Sequence, residues 1–246
     1  MGIDAAIALQ LIANRDLFKK RKSGLMLGRQ SLRVPPKHRG RIRRAMRTAE
    51  LSCDLEDLFQ KDGYAETFTS AIGLPPLQAL DASDYEGSNL VHDLNYPIGD
   101  DLRGRFDFIL DGGTLEHVFN APQALDNVFS MLSEGGVFIS ANGMTGWAGH
   151  GFYQFSPELV WRYWQDARGC EILQCTALPF HPGEKLRHVR DTGAGGARFR
   201  SRKLTGRWYL FYIVQKSATA NTAPAITAPA QSDYQVRWQA PSEVHA

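Results

Sequence analysis

Phe106-Asp107-Phe108-Ile109-Leu110-Asp111-Gly112-Gly113-Thr114-Leu115-Glu116-His117-Val118 is the stretch whose reading decides the fold. Its first residues are an almost unbroken apolar run, which suits a strand covered on both faces in a parallel sheet. The run stops at an acid followed by two glycines, a turn signal. Beyond it, residues 114–132 carry Leu115, Val118, Leu125, Val128, Phe129 and Leu132 at helical spacing, with Pro122 marking a break or a fresh first turn. Ser133-Glu134-Gly135-Gly136 closes that helix, and residues 137–140 read as the next strand. Strand, turn, helix and strand in this order are the unit of a doubly wound α/β sheet.

Working outward, residues 24–29 form a short apolar run between glycines, and residues 77–80 and 89–92 are further strand candidates. Residues 2–22 carry apolar side chains at spacings of three and four, which predicts a helix with Lys19 to Lys22 in its last turn. Helices are also expected over 39–46 and 51–61, and after the Ser156-Pro157-Glu158 start signal. Residues 171–178 and 208–215 read as strands with no good helix between them, so the last strand is expected to run antiparallel. The expected fold class is therefore α/β, a Rossmann-like, doubly wound, mostly parallel sheet with an antiparallel last strand. The expected division is an N-terminal helix (1–23), one α/β domain (24–216) and a disordered tail (217–246) rich in Ala, Thr, Pro and Ser. Residues 142–155, rich in glycine and aromatics, read as a loop over a site, and residues 193–202 as a flexible loop.

Composition excludes several classes. No run approaches the ~18 apolar residues of a membrane span, and the N-terminus has no basic leader segment, so a cytoplasmic location is expected. Three cysteines, Cys53, Cys170 and Cys175, have neither zinc-site nor disulfide spacing and read as reduced thiols. His92 with Asp93, and His181 with His188, lack strong metal spacing, so no metal site is expected. Asp111-Gly112-Gly113-Thr114 has no following Gly-Lys-Ser/Thr, which argues against an NTPase. The net charge of +2 hides an asymmetry: residues 17–49 contain Lys and Arg but no Asp or Glu, and residues 50–118 are acidic. The basic block either meets an anionic partner or pairs with the acidic half of the same molecule.

In such sheets ligands bind beyond the carboxyl ends of the strands, where the strand order switches. The candidate strands end at Gly28, Asp81, Asp93 and Asp111. Glycine lets a backbone approach a ligand closely, and strand-end carboxylates suit ribose hydroxyls and an adenine amino group. The 106–118 stretch resembles the fourth strand and following turn of class I S-adenosylmethionine-dependent methyltransferases, and its Leu-Glu-His-Val end is similar to members of the quinone-biosynthesis type. Residues 132–139 resemble that family's approach to the fifth strand, with Glu134 where proline is frequent, and residues 149–158 resemble a loop of uncharacterised members. The resemblance covers roughly residues 24–215 and departs from the family at the first loop. Only Gly28 matches there, and Arg29 and Gln30 stand where small residues are expected.

The resemblance implies S-adenosyl-L-methionine as cofactor, held across Gly28, Arg29, Gln30, Asp81, Asp93, Asp111 and Gly112. Asp84 and Glu86 neighbour the expected ribose carboxylate. A small-molecule or sugar-like acceptor would lie near His150 and Tyr153, with His117 as general base. The alternative is a catalytically inactive methyltransferase-like binding or scaffold protein working through residues 17–49. A nucleic-acid acceptor is disfavoured because aromatic residues do not interleave with the basic block.

Overall fold

A computed structural model describes residues 2–191, 193, 198–200, 202, 204–220 and 229–232. In chain order the elements are β1 (Gly2–Asp4), α1 (Ala5–Ala13), β2 (Gly24–Leu27), β3 (Ser31–Arg33), α2 (Pro36–Thr48), α3 (Glu66–Ala71), β4 (Leu77–Asp81) and β5 (Leu90–Val91). There follow β6 (Phe106–Asp111), α4 (Ala121–Met131), β7 (Leu132–Thr145), α5 (Pro157–Leu159), β8 (Glu171–Pro179), β9 (Arg187–His188) and β10 (Trp208–Gln215). α5 continues as a π-helix over Val160–Ala167.

The main sheet has eight strands in the order β5-β4-β2-β6-β7-β10-β8-β9. Its first five are mutually parallel. β10 runs antiparallel to both β7 and β8, between which it is inserted. The expected Rossmann-like α/β class with a reversed last strand is thus the one observed. β2 lies between β4 and β6, so the order switches there, and this is where such sheets bind ligands. Register sets Leu27 opposite both Leu80 and Asp111. Gly28, Asp81 and Gly112, each one residue further on, therefore share the carboxyl edge.

One face of the sheet is covered by α1 and α2, whose Ile7, Leu11, Ile12, Ile42 and Met46 join Met26, Phe108 and Phe211 in one core. The other face packs Leu25, Ile109 and Phe138 against Leu125, Val128 and Phe129 of α4 and against Trp164. Central strands are buried on both sides, which explains their continuous apolar sequence.

Several local expectations are corrected. The 2–22 helix is three elements: β1, α1 and a 3-10 turn over Arg15–Leu17. Asp4 starts α1 by accepting from the Ala6 and Ile7 N–H groups, 2.9 Å each. The helix stops at Asn14, so Lys19–Lys22 lie beyond its last turn, and Arg21 instead donates to the Gly135 carbonyl at 2.8 Å. Of the 51–61 helix only a 3-10 turn at Glu56–Leu58 forms. The 114–132 span is a 3-10 turn over Leu115–His117, a break at 118–120, and α4, which Asn120 caps with Pro122 in its first turn, while Leu132 already belongs to β7. Residues 142–145 belong to β7 and not to the following loop. β1 and β3 form a parallel pair that residue spacing does not reveal. Most of the tail expected to be disordered, residues 221–228 and 233–246, lies outside the described residues, as do parts of the 193–202 loop.

No helix among the described residues is long and apolar enough to cross a membrane. All three cysteines are free thiols.

Candidate active site

At the switch point Gly28 takes φ +64, a backbone conformation that favours glycine. A Cβ placed on it would stand 3.0 Å from Thr114 Oγ1 and 3.6 Å from Asp81 Oδ2. The turn therefore brings backbone and carboxylate together at the edge. Asp81 accepts from the Ala82 N–H at 2.7 Å and forms no ion pair among the described residues.

The two bulky residues of the loop leave this place in opposite directions. Arg29 leans outward, with Nε 2.6 Å from Glu66 Oε1, Nη2 3.1 Å from Asp62 Oδ2, and its guanidinium 3.8 Å over the Tyr64 ring. Those partners hold its charge even more firmly than usual, the Glu66 hydrogen bond contributing most. Gln30 folds back into the protein and is completely buried. Its Nε2 donates to the Leu27 carbonyl at 2.6 Å and the Gly28 carbonyl at 3.3 Å, and its Oε1 has no partner among the described residues. A Cβ on Gly112 would fall 2.5 Å from that oxygen. Gln30 thus fills the space between the ends of β2 and β6 that a smaller residue would leave empty.

The other two predicted carboxylates serve turns. Asp93 is half-buried and accepts from both nitrogens of Asn95, which holds its pKa below the usual range. Asp111 is fully buried. Its Oδ1 accepts from the Gly113 and Thr114 N–H groups, and its Oδ2 from Ser140 Oγ at 2.9 Å and Asn142 Nδ2 at 2.5 Å. Burial raises its pKa despite these bonds. With no surface of its own, Asp111 shapes the Gly112-Gly113 turn from beneath.

Next to this turn opens a cleft of about 410 Å³ whose wall includes Gly112, Gly113, Glu116, Trp147, His150 and Tyr209. Glu116 was not singled out from sequence, although it stands in the Leu-Glu-His-Val run. It is 3% exposed. Its Oε2 accepts from the Gly143 N–H, and its Oε1 lies 3.4 Å from His150 Nε2 and 3.9 Å from His117 Nε2. Burial pushes its carboxyl up to about 7. The His117 and His150 rings meet edge to face at 5.1 Å. Burial and the neighbouring His150 lower the pKa of His117. Tyr153 is directed elsewhere: its hydroxyl donates to the Phe119 carbonyl at 2.7 Å and its ring stacks on Phe155.

The cleft rim is cationic. Arg33, Lys37 and Arg207 line it, and Arg207 lies 4.8 Å over the Trp147 ring. His38, also in the lining, has a lowered pKa, first from burial and then from Lys37, His181 and Arg41. Elsewhere the basic block pairs internally, Arg29 with Asp62 and Glu66, and Arg39 and Arg43 with Glu56.

No family model and no curated protein matches this chain. Solved structures do. A S-adenosylmethionine-dependent methyltransferase from Archaeoglobus fulgidus is 11% identical over 85% of this chain and 93% of that one, with TM-score 0.47. The 1,6-didemethyltoxoflavin-N1-methyltransferase of Burkholderia thailandensis, with bound 1,6-didemethyltoxoflavin and S-adenosylhomocysteine, is 15% identical over 87% and 78%, with TM-score 0.43. The [4+2]-cyclase SpnF is 14% identical over 86% and 80%, with TM-score 0.45. The Rossmann-like α/β layout of this chain rests on its own strand order and directions.

Proposed function

We propose that this chain is a S-adenosylmethionine-dependent methyltransferase acting on a small-molecule or sugar-like acceptor. The observation that carries the reading is the pairing of left-handed Gly28 with the Asp81 carboxylate at the switch in strand order. The residues present fit a nucleoside-bearing cofactor. A Cβ on Gly28 would crowd Thr114 Oγ1 at 3.0 Å, Asp81 forms no ion pair among the described residues, Arg29 is drawn outward by Asp62 and Glu66, and Gln30 is folded in against Gly28 and Gly112. Asp81 would accept from ribose hydroxyls, and Gly28 and Gly112 would offer close backbone approach. Asp93 would stand near the base, and Asp111 would hold the Gly112-Gly113 turn in place. When bound, the cofactor supplies a methyl group on a sulfonium, which is electrophilic without further activation.

The cleft has the volume of a small-molecule site, whose usual range is about 300–1,000 Å³. Its cationic rim favours an acceptor carrying a carboxylate, phosphate or sulfate. Alignment contributes more to such a transfer than strong acid–base groups. His150 in the wall, with Glu116 and His117 behind it, is placed to receive the acceptor's proton. The imidazoles and carboxylate lie within hydrogen-bond range or one water of each other.

The test is a thermal-shift titration with S-adenosylhomocysteine on the wild type and Asp81→Asn. Ligand at 100 times its Kd stabilises by about 2.7 kcal/mol, so the wild type should melt several degrees higher and the variant should shift much less. No shift at millimolar ligand overturns the reading in favour of a methyltransferase-like binding protein.

A further inference from the structure

Glu116, His117 and His150 bring one carboxylate oxygen and two imidazole nitrogens within 4.8 Å of one another. They come from two segments. Glu116 and His117 sit on the 3-10 turn after β6, and His150 on the loop after β7. That loop is folded back over the turn by the Phe152 and Tyr153 N–H groups, which donate to the Glu116 carbonyl at 2.8 and 3.2 Å. Glu116 is oriented from behind, because the Gly143 N–H occupies Oε2 and leaves Oε1 facing both rings. Oε1 itself makes no backbone hydrogen bond among the described residues, although Glu116 is almost wholly buried. The two imidazoles are 37% and 44% exposed, so the cluster has a closed carboxylate side and an open side where His150 faces the cleft.

Two neutral imidazoles and one carboxylate with an open side are the donor set of a catalytic-type divalent site, which keeps positions for water or substrate. Metal–ligand bonds of about 2.0–2.2 Å set ligand atoms roughly 3–3.5 Å apart. The 3.4 and 3.9 Å separations already approach that spacing. The remaining convergence falls to two part-exposed rings, which turn without moving the core. Magnesium and calcium prefer all-oxygen shells, so the imidazoles select a transition ion.

We propose that Glu116, His117 and His150 bind one divalent transition-metal ion of the zinc, manganese or cobalt type, with its open positions turned to the cleft. Within the methyltransferase reading, on which this last part rests, an oxygen of the acceptor takes one of those positions; with the ion bound, His150 is a ligand instead of the base, and the ion would ease loss of the acceptor's proton to solvent by lowering its pKa. The ion thereby adds a positive charge to a cleft whose rim is already cationic, which again favours an anionic acceptor.

The experiment uses tag-free, chelator-stripped full chain titrated with cobalt chloride and followed by visible absorption. Wild type should saturate at one ion per chain with bands that zinc abolishes. Glu116→Gln, His117→Gln and His150→Gln should each weaken cobalt by at least about 10-fold, the lower bound seen even for residues that only support ligands. His92→Gln, whose imidazole instead contacts the Tyr96 carbonyl, should bind as wild type. Should Glu116→Gln fail to fold, His150→Gln, a part-exposed loop position, still decides the matter. Absence of a saturating cobalt spectrum, or unchanged affinity in His150→Gln, overturns the proposal. A parallel titration with S-adenosylhomocysteine separates the two readings. Cobalt binding without nucleoside binding keeps the metal site and removes the methyltransferase, and the converse removes the metal site alone.

Discussion

Gly112→Ala probes how the first loop is packed. An added Cβ would stand 2.5 Å from Gln30 Oε1 and 3.1 Å from its Cδ, closer than ordinary carbon contacts. Gly112 is not in the left-handed region, unlike Gly113 with φ +98, so the backbone accepts alanine and the penalty is the contact with Gln30. To relieve it the amide must leave the Leu27 carbonyl, losing about 1 kcal/mol of hydrogen bond. Overpacking a tight interior adds about 1–3 kcal/mol, so Gly112→Ala should destabilise by about 2–4 kcal/mol. Gln30→Ala loses the same hydrogen bond and opens a void. It also removes a buried carbonyl oxygen without a partner, whose burial costs about 1–3 kcal/mol. These changes offset, and Gln30→Ala should lie within about 1 kcal/mol of the parent. In the double variant the obstruction is gone, so the cycle should show a coupling nearly as large as the Gly112→Ala penalty itself, about 2–4 kcal/mol. Urea denaturation of the four proteins, followed by tryptophan fluorescence, measures it. Additivity within about 0.5 kcal/mol would refute the placement of Gln30 above Gly112.

Other outcomes follow from the same geometry. Asp111→Ala strands four donors beneath the glycine turn; after allowing for the relief of a buried carboxyl, it should lower urea stability by about 3 kcal/mol, and a loss under 1 kcal/mol would contradict the anchoring role. Asp126→Ala leaves the buried Arg168 and the Tyr163 hydroxyl without their shared carboxylate and should destabilise by about 3 kcal/mol in the same assay. Burial pushes the Cys170 and Cys175 thiols up to about 12, which leaves almost no thiolate at pH 8. Ellman's reagent should therefore label only half-buried Cys53 quickly in the native protein, and rapid labelling of a second thiol would contradict this packing.

Much of the sheet was legible because burial on both faces writes itself as apolar runs. β6 and the strands at 171–178 and 208–215 stand out for that reason. The three-residue β1 and β3 are too short to show a period, and the N-terminal apolar spacing runs on past Asn14 because Phe18 is buried from a 3-10 turn, not a helix. At the carboxyl edge of the sheet, the positions of Gly28 and Asp81 could be read from strand ends alone. Asp111 could not be told from a ligand-facing acid, since its burial depends on Ser140 and Asn142 reaching across from β7. Their spacing of two, which puts both on one face of a strand, is the sequence trace of that contact. Glu116 carries no mark of its own beside His117, because its meeting with His150 requires the 146–155 loop to fold back. That closure is held by backbone hydrogen bonds, which leave no mark in side-chain pattern.

The most direct test is isothermal calorimetry of S-adenosylhomocysteine against wild type and Asp81→Asn. A nucleoside cofactor seated between Gly28 and Asp81 should give saturable binding to a single site in the wild type. Loss of a charged acceptor for ribose hydroxyls removes about 1.5–3 kcal/mol, so Asp81→Asn should bind at least about 10-fold more weakly. Absence of binding heat at millimolar ligand, or equal affinity in the two proteins, would contradict a cofactor seated between Gly28 and Asp81.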